Sequence, residues 1–216
     1  MRLKQIRATA LDHGLDVYGA FHPSADDFSQ AASLVLLGPS AQFWTVFCAS
    51  DIYQDGLPDP VDRWSTKVIS AIATDLDAKP IFPFGGPPYA PFLDWARASG
   101  RAWNSPVGML VHELTGLMVS YRGALAFTKP LDLPDQTFHN PCNTCDDKPC
   151  LSACPVDALA AGGYDVPKCH AYMDTDAGIT CLNKGCLVRR ACPASIGATR
   201  QIEQSALHMR AFRGNK

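Results

Sequence analysis

Apolar residues recur at helical spacing in three stretches of the first half of the chain. Residues 3–13 are predicted to form a helix that ends at Gly14, because glycine commonly follows the last helical position. A long amphipathic helix is predicted to begin at Asp59-Pro60, since proline suits the first helical turn. Its apolar face comprises Val61, Trp64, Val68, Ile72 and Leu76. A shorter helix is predicted over residues 91–99.

Short apolar runs bounded by turn residues predict strands between and after these helices. Residues 17–21 and 33–37 fit this pattern. Residues 108–111 and 117–127 are predicted to pair as a hairpin or as adjacent strands, bent at Thr115-Gly116. The strands and helices alternate without a regular strand–helix–strand repeat, so the expected fold class is α+β.

The composition changes near residue 136 and indicates two modules. All four tryptophans and eight of the ten phenylalanines precede this point, whereas eight of the nine cysteines follow it. Residues 1–136 are therefore predicted to form an α+β module that buries aromatic and aliphatic surface and can bind a cofactor or substrate. Residues 137–216 are predicted to depend on bound metal for much of their folding free energy.

Charge, hydropathy and cysteine number exclude several classes of protein. The formal net charge is -2, so no basic field favours a nucleic-acid partner. No run of 18 apolar residues and no signal-peptide pattern at the N-terminus is present, so we expect no membrane partner and a cytoplasmic location. A secreted disulfide framework usually has an even number of cysteines, and nine is odd. Metal ligation in a reducing compartment is the favoured interpretation.

The clustered cysteines form two sets of four, each ending in Cys-Pro. The first set is Cys142-x2-Cys145-x4-Cys150-x3-Cys154-Pro155, and the second is Cys169, Cys181, Cys186 and Cys192-Pro193. The first set resembles the bacterial two-cluster pattern C-x2-C-x2-C-x3-C-P, in which the fourth cysteine binds the other [4Fe–4S] cluster. Exchange of the fourth cysteine predicts two ligand groups. The first group is Cys142, Cys145, Cys150 and Cys192; the second group is Cys154, Cys169, Cys181 and Cys186.

Two zinc sites are the alternative interpretation of these cysteines. Zinc ribbons usually set two Cys pairs well apart, as in C-x2-C-x15–20-C-x2-C. Four cysteines within thirteen residues fit that spacing poorly.

Two cubes of iron and sulfide carry negative charge, and the cations nearby in sequence could offset it. These cations are Lys148, Lys168, Lys184, Arg189 and Arg190, each of which could equally be an ordinary solvated residue.

Paired clusters indicate one-electron transfer. The predicted function is that of an iron–sulfur oxidoreductase, which passes single electrons to a corrinoid or substrate held at the N-terminal module. The expected electron donor is a protein such as a ferredoxin or flavodoxin. The alternative function is a non-catalytic electron carrier or corrinoid-handling protein that acts with a partner. No catalytic residue can be assigned from the sequence.

Residues 141–193 resemble the dicluster ferredoxin-like domain of epoxyqueuosine reductases and of corrinoid-dependent reductive dehalogenases. The segment Lys168-Cys169-His170-Ala171-Tyr172 is similar to the isolated cysteine segment of the epoxyqueuosine reductases. This resemblance implies a small ferredoxin-like domain, two [4Fe–4S] clusters and the same exchange of ligands between the two sets.

A second, weaker resemblance covers residues 81–133, which look like the cobalamin-processing (B12 trafficking) family. It rests on Phe82-Pro83-Phe84-Gly85-Gly86, Ser105-Pro106-Val107-Gly108, His112, Gly116 and Tyr121-Arg122-Gly123-Ala124. The resemblance implies a nitroreductase-like mixed sheet with helices and a bound cobalamin or other flat cofactor.

The cofactor-binding residues predicted from this second resemblance are Gly85, Gly86, His112 and Arg122. Each also has a plain structural interpretation. The two glycines could form a rigid turn, His112 could be a hydrogen-bonded structural residue, and Arg122 could form an ordinary ion pair. The remaining cysteine, Cys48, is predicted to be a small buried apolar residue.

Overall fold

The computed structural model describes residues 2–135 and 137–214, which form two compact units. The first unit comprises the residues up to Arg101 together with Ser120–Phe138. The second unit comprises Ala102–Val119 together with the residues from His139 onward. This division differs from the predicted modules of residues 1–136 and 137–216, because residues 102–119 belong to the unit that carries the clustered cysteines.

The first unit contains helices on a four-stranded sheet. Its helices are α1 (Leu3–Asp12), α2 (Phe43–Cys48), α3 (Asp51–Gln54), α4 (Pro60–Asp75) and α5 (Phe92–Ala98). Its strands are β1 (Leu15–Phe21), β2 (Ser33–Pro39), β3 (Lys79–Ile81) and β6 (Gly123–Phe127). The sheet order is β1-β2-β6-β3 and every neighbouring pair is antiparallel. The prediction of an α+β fold is confirmed, but this sheet is antiparallel, whereas the second resemblance implied a mixed sheet.

The core of the first unit is the centre of this sheet. All five residues of β6 are buried, and so are six of the seven in β2, because these two strands occupy the middle of the sheet. Their register pairs Ser33 with Phe127 and Leu37 with Gly123. Helices α1 and α4 pack on the sheet, and α4 buries Trp64 and Ile72 as predicted.

The second unit is built from short elements. It contains two hairpins, formed by β4 (Ala102–Asn104) with β5 (Leu110–His112) and by β7 (Leu159–Ala160) with β8 (Gly163–Tyr164). Its helices are α6 (Val166–Met173), α7 (Ile179–Lys184), α8 (Leu187–Ala191) and α9 (Ile202–Arg213). Three 3-10 turns, Pro141–Thr144, Pro149–Leu151 and Pro193–Ala198, each begin with proline.

The prediction that residues 108–111 pair with residues 117–127 is wrong. β5 pairs instead with β4, while β6 lies in the sheet of the first unit. The physical reason is that the fully apolar β6 is buried between β2 and β3, and the turn after His112 closes on itself through two backbone hydrogen bonds with Gly116.

Close backbone packing attaches the β4–β5 hairpin segment to the residues that follow Cys192. Gly116 has φ +54°, and a Cβ there would lie 2.4 Å from the backbone nitrogen of Ser195. The next residue, Leu117, donates its N–H to Ser195 Oγ at 3.1 Å. None of the helices in the described ranges has the length and hydropathy that crossing a membrane requires.

Candidate metal centres

Each cysteine of the first group lies within a 3-10 turn or directly beside one. Cys142 is in the turn Pro141–Thr144, where it donates its backbone N–H to Asn140 Oδ1 at 3.0 Å, and Cys145 ends this turn. Cys150 is in the turn Pro149–Leu151. Cys192 lies between α8 and the turn Pro193–Ala198. Proline thus begins each 3-10 turn that carries or adjoins a cysteine of this group.

These four cysteines line one cavity of about 310 Å³. Val111 and Leu117, from the segment around the β4–β5 hairpin, form part of its apolar wall. Ser105 also lines this cavity; it is buried, and its hydroxyl has no hydrogen-bond partner among the described residues. A buried hydroxyl without a partner is costly, so it is consistent with a polar or charged group in this cavity.

The second group is assembled from three helices and a turn. Cys169 is in α6, Cys181 is in α7, and Cys186 immediately precedes α8. Together with Cys154 they line a second and tighter cavity, of about 20 Å³. Its wall is otherwise almost entirely apolar and includes Met173, Met209, Leu187 and Val188.

The pKa shifts of the thiols follow the same division. The pKa of Cys142 is raised by burial and then by the proximity of Cys192, Cys150 and Cys145. The pKa of Cys150 is raised in the same way by burial, Cys192 and Cys145. Deprotonation of one such thiol is unfavourable beside another, whereas a bound cation stabilises the thiolates together.

The second group shows the same effect within its own members. The pKa of Cys181 is raised by burial and then by Cys186, Cys169 and Cys154. The pKa of Cys169 is raised by burial and by Cys186 and Cys154. Four thiols around one apolar cavity are a donor set of the kind that an iron–sulfur cluster takes.

Three hydrogen-bond donors in the described ranges point at sulfur atoms of the second group, one of them the backbone N–H of Leu187 at Cys181. The backbone N–H of Ala158 donates to Cys154 Sγ at 3.2 Å, and the Tyr164 hydroxyl donates to Cys169 Sγ at 3.4 Å. The pKa of Tyr164 is raised by burial and by this hydrogen bond, so the hydroxyl is protonated at neutral pH. Sequence reasoning assigned neither Tyr164 nor Ser105 to the cysteine sites, because neither belongs to a cysteine motif; Ser105 entered only through the second resemblance.

One of the five predicted compensating cations is desolvated beside the second group. The Arg189 guanidinium donates to the Leu117 carbonyl at 2.5 Å. Its pKa is lowered by burial, and the nearby Cys186 and Tyr164 act in the opposite direction. Lys148 is exposed but close enough to Cys142 to lower the pKa of that thiol. The other three, Lys168, Lys184 and Arg190, are exposed.

Helix α8 separates the two groups. Cys186 precedes its first residue and belongs to the second group, while Cys192 follows its last residue and belongs to the first. At 1.5 Å per helical residue, the Cα atoms of these two cysteines are about 9 Å apart. Val188, within α8, belongs to the same buried cluster as Cys192 and also lines the cavity of the second group.

The predicted cofactor-binding residues are divided between the two units. Arg122 belongs to the first unit and is buried; it donates to Ser65 Oγ at 3.0 Å and forms an ion pair with Asp62. Burial lowers the pKa of Arg122, and Asp62 acts against this effect. Its guanidinium lies over the Phe84 ring, 5.6 Å from the centroid, and Gly85 and Gly86 follow Phe84 in the chain. Arg122 thus lies near the segment that contains Gly85 and Gly86, and its guanidinium is already paired with the Asp62 carboxylate.

His112 belongs to the second unit. It is fully buried in β5, and its Nδ1 accepts a hydrogen bond from the Leu114 N–H at 3.2 Å. Its neighbour Val111 lines the cavity of the first group, and consecutive strand residues point to opposite faces. His112 therefore faces away from that cavity. The structure does not bring His112 together with Gly85, Gly86 and Arg122 in one unit.

Cys48 belongs to neither group and is the last residue of α2 in the first unit. It is half-buried rather than fully buried, and it interacts with Tyr53, whose pKa is raised by burial and by Cys48.

Among residues 2–135 and 137–214, no three His, Cys, Asp or Glu side chains are arranged to hold a metal ion. A cube places one cysteine on each iron, so its four thiols surround a cavity rather than a single ion.

No protein-family model matches this sequence, and no curated protein matches it.

Proposed function

We propose that this chain is a one-electron transfer protein that binds one [4Fe–4S] cluster in each of the two cysteine groups. The observation that carries the proposal is the grouping itself. Each cavity is lined by three cysteines of one set and by the fourth cysteine of the other set, as an exchange of ligands requires. The proposed fold of the second unit is accordingly ferredoxin-like.

The chain's own residues supply what such clusters need. Eight thiolates would be the ligands, and the apolar walls would exclude water from the sulfur atoms. When bound, a pair of clusters supplies reversible one-electron transfer. Ala158 and Tyr164 offset negative charge at the second group through hydrogen bonds, and Arg189 does so as a half-buried cation. Lys148 offers an exposed cation beside the first group.

Proximity of the groups supports transfer between them. Two short segments join them, from Cys150 to Cys154 and from Cys186 to Cys192, and each passes directly from one cavity to the other. The proposed electron donor is a protein such as a ferredoxin or flavodoxin. The proposed electron acceptor is a corrinoid or substrate bound to a nitroreductase-like first unit.

Anaerobic purification followed by iron, sulfide, zinc and corrinoid analysis tests the proposal. We expect about eight iron and eight sulfide per chain, since each cube contains four of each. Zinc without sulfide would contradict electron transfer and leave the cysteines a structural role. A bound corrinoid in the same sample would support the reductase form of the proposal, and its absence would favour the carrier form.

Cysteine variants test the assignment of ligands. Cys145→Ala and Cys169→Ala each remove one half-buried thiol from a different group, and neither residue adjoins α8. Each variant should lose about half of the iron, with a different cluster remaining in its electron paramagnetic resonance (EPR) spectrum. Cys48→Ala is the matched control and should retain all of the iron. Full iron content in either ligand variant would refute the grouping.

A further inference from the structure

Tyr164 is placed so that its ring is fixed by packing while its hydroxyl faces a sulfur atom. It ends the β7–β8 hairpin, and its ring stacks on Phe212 of α9 at 5.8 Å between centroids and 18° between planes. The ring is partly exposed, but the hydroxyl reaches Cys169 Sγ at 3.4 Å. Two hairpin strands and a helix thus orient a single O–H group towards the second cysteine group.

The hydroxyl must be the donor in this contact when Cys169 is a metal-bound thiolate. A thiolate has no proton to give, whereas the tyrosine O–H is both donor and acceptor. Hydrogen bonds to an ionised acceptor are about twice as strong as those between neutral groups. Adding one electron to a cluster increases the negative charge that its sulfur ligands share, so the O–H bond stabilises the reduced state more than the oxidised state.

We propose that Tyr164 is a positioning residue. Its hydroxyl, through the hydrogen bond to Cys169 Sγ, raises the reduction potential of the cluster in the second group. This inference rests on the proposed function, because it assumes a cluster at those four cysteines. The step it affects is the gain of one electron from an external one-electron donor, in which no covalent bond forms or breaks. The effect is confined to one of the two clusters, because Tyr164 lines the cavity of the second group and contacts a cysteine of that group.

The structure offers a matched control in Tyr172. Tyr172 lines the same cavity, but its hydroxyl donates to the Ala177 carbonyl at 3.2 Å instead of to sulfur. Tyr164→Phe therefore removes an O–H···S bond and keeps the stacked ring. Tyr172→Phe removes a hydroxyl of the same kind from the same cavity wall without removing a bond to sulfur.

The test is a potentiometric titration of the anaerobically purified full chain, with dithionite as reductant and EPR spectroscopy to follow each cluster. In Tyr164→Phe, the equilibrium constant for one-electron reduction of one cluster should fall about tenfold, which corresponds to a potential lower by about 59 mV. The other cluster should keep its potential. Tyr172→Phe should leave both potentials unchanged.

Iron content separates the ways in which this inference can fail. Unchanged potentials in Tyr164→Phe with full iron would refute the role of the hydroxyl and leave the proposed function intact. Loss of about half of the iron in Tyr164→Phe alone would show that the residue only maintains the fold, and would also refute the inference. A wild-type protein without iron and sulfide would overturn the proposed function and this inference together.

Discussion

Replacing Gly116 with alanine should destabilise the second unit by about 2–5 kcal/mol, from two separate penalties. A left-handed backbone conformation costs an L-residue about 1–2 kcal/mol, and Gly116 has φ +54°. The added Cβ would also lie 2.4 Å from the backbone nitrogen of Ser195, which is too close for any real Cβ contact. Forcing an extra carbon into a packed site costs about 1–3 kcal/mol.

Gly108→Ala is the matched control for this substitution. Gly108 lies in the same hairpin segment with φ +79°, and a Cβ there would meet no atom within 4 Å. It should therefore cost only the backbone penalty of about 1–2 kcal/mol. The difference between the two variants, about 1–3 kcal/mol, isolates the close approach of Gly116 to the backbone around Ser195.

Urea unfolding of the purified full chain, followed by circular dichroism, measures the two changes in free energy. Amide hydrogen exchange locates the loss: in Gly116→Ala, residues 102–119 and 192–198 should both exchange faster, because the hydrogen bond from Leu117 to Ser195 depends on the same approach. Equal destabilisation by the two variants would refute the reasoning. It would mean that the hairpin segment does not pack on the residues after Cys192.

Two further predictions concern ion pairs of the first unit. Arg122→Met should lower the free energy of unfolding by about 1–2 kcal/mol in urea titration, because the buried Ser65 hydroxyl loses the guanidinium as a hydrogen-bond donor. The lost ion pair adds little, since the Asp62 side chain is 39% exposed and its carboxylate can be hydrated. An unchanged free energy of unfolding would refute this account. The pKa of Asp55 is held at about 2, below the usual 3.8, by hydrogen bonds from the Arg63 guanidinium. Arg63→Gln should return that pKa towards 3.8 in a carboxyl NMR titration. Since the folded pKa is depressed, the stability from this pair is complete above about pH 4 and is lost as the pH falls towards about 2. An Asp55 pKa near 3.8 in the wild-type protein would contradict this account.

Local periodicity predicted several elements of the first unit well. The structure has helices at Leu3–Asp12 and Pro60–Asp75 and strands at Leu15–Phe21 and Ser33–Pro39, within two residues of most predicted bounds. These elements were predictable because each buries a face with its own short-range pattern. The strand Lys79–Ile81 was missed because three residues are too few to show a period.

The division of the chain could not be predicted from composition. Residues 102–119 contain Trp103 and several aliphatic residues, and so resemble the first module in content. Their place in the second unit depends on long-range packing, in which Gly116 approaches Ser195 and Leu117 lines the cavity of the first group. A contact between residues some eighty positions apart leaves no local signal in the sequence.

The cysteine spacing identified the same two groups that line the two cavities, although their role as cluster ligands stays a prediction. Spacing succeeds here because short turns force neighbouring cysteines to converge. It could not identify Tyr164 or Ser105, which reach the cavities from hairpins outside the cysteine motifs. The two hydroxyls are recognised only by their positions in the folded chain, where each lies at a cavity lined by cysteines.

The exchange of the fourth cysteine has a consequence for stability as well as for electron transfer. Helix α8 has five residues, and a helix of that length is unstable alone because nucleation outweighs the few hydrogen bonds gained. Its two ends are the cysteines of different groups, Cys186 and Cys192, so metal bound at either group would fix one end of the helix. Val188, between them, belongs to the same buried cluster as Cys192 and lines the cavity of the second group. Binding in one group should therefore favour the backbone conformation that the other group needs, so a variant that keeps a single cluster should hold it less tightly than the wild-type protein does.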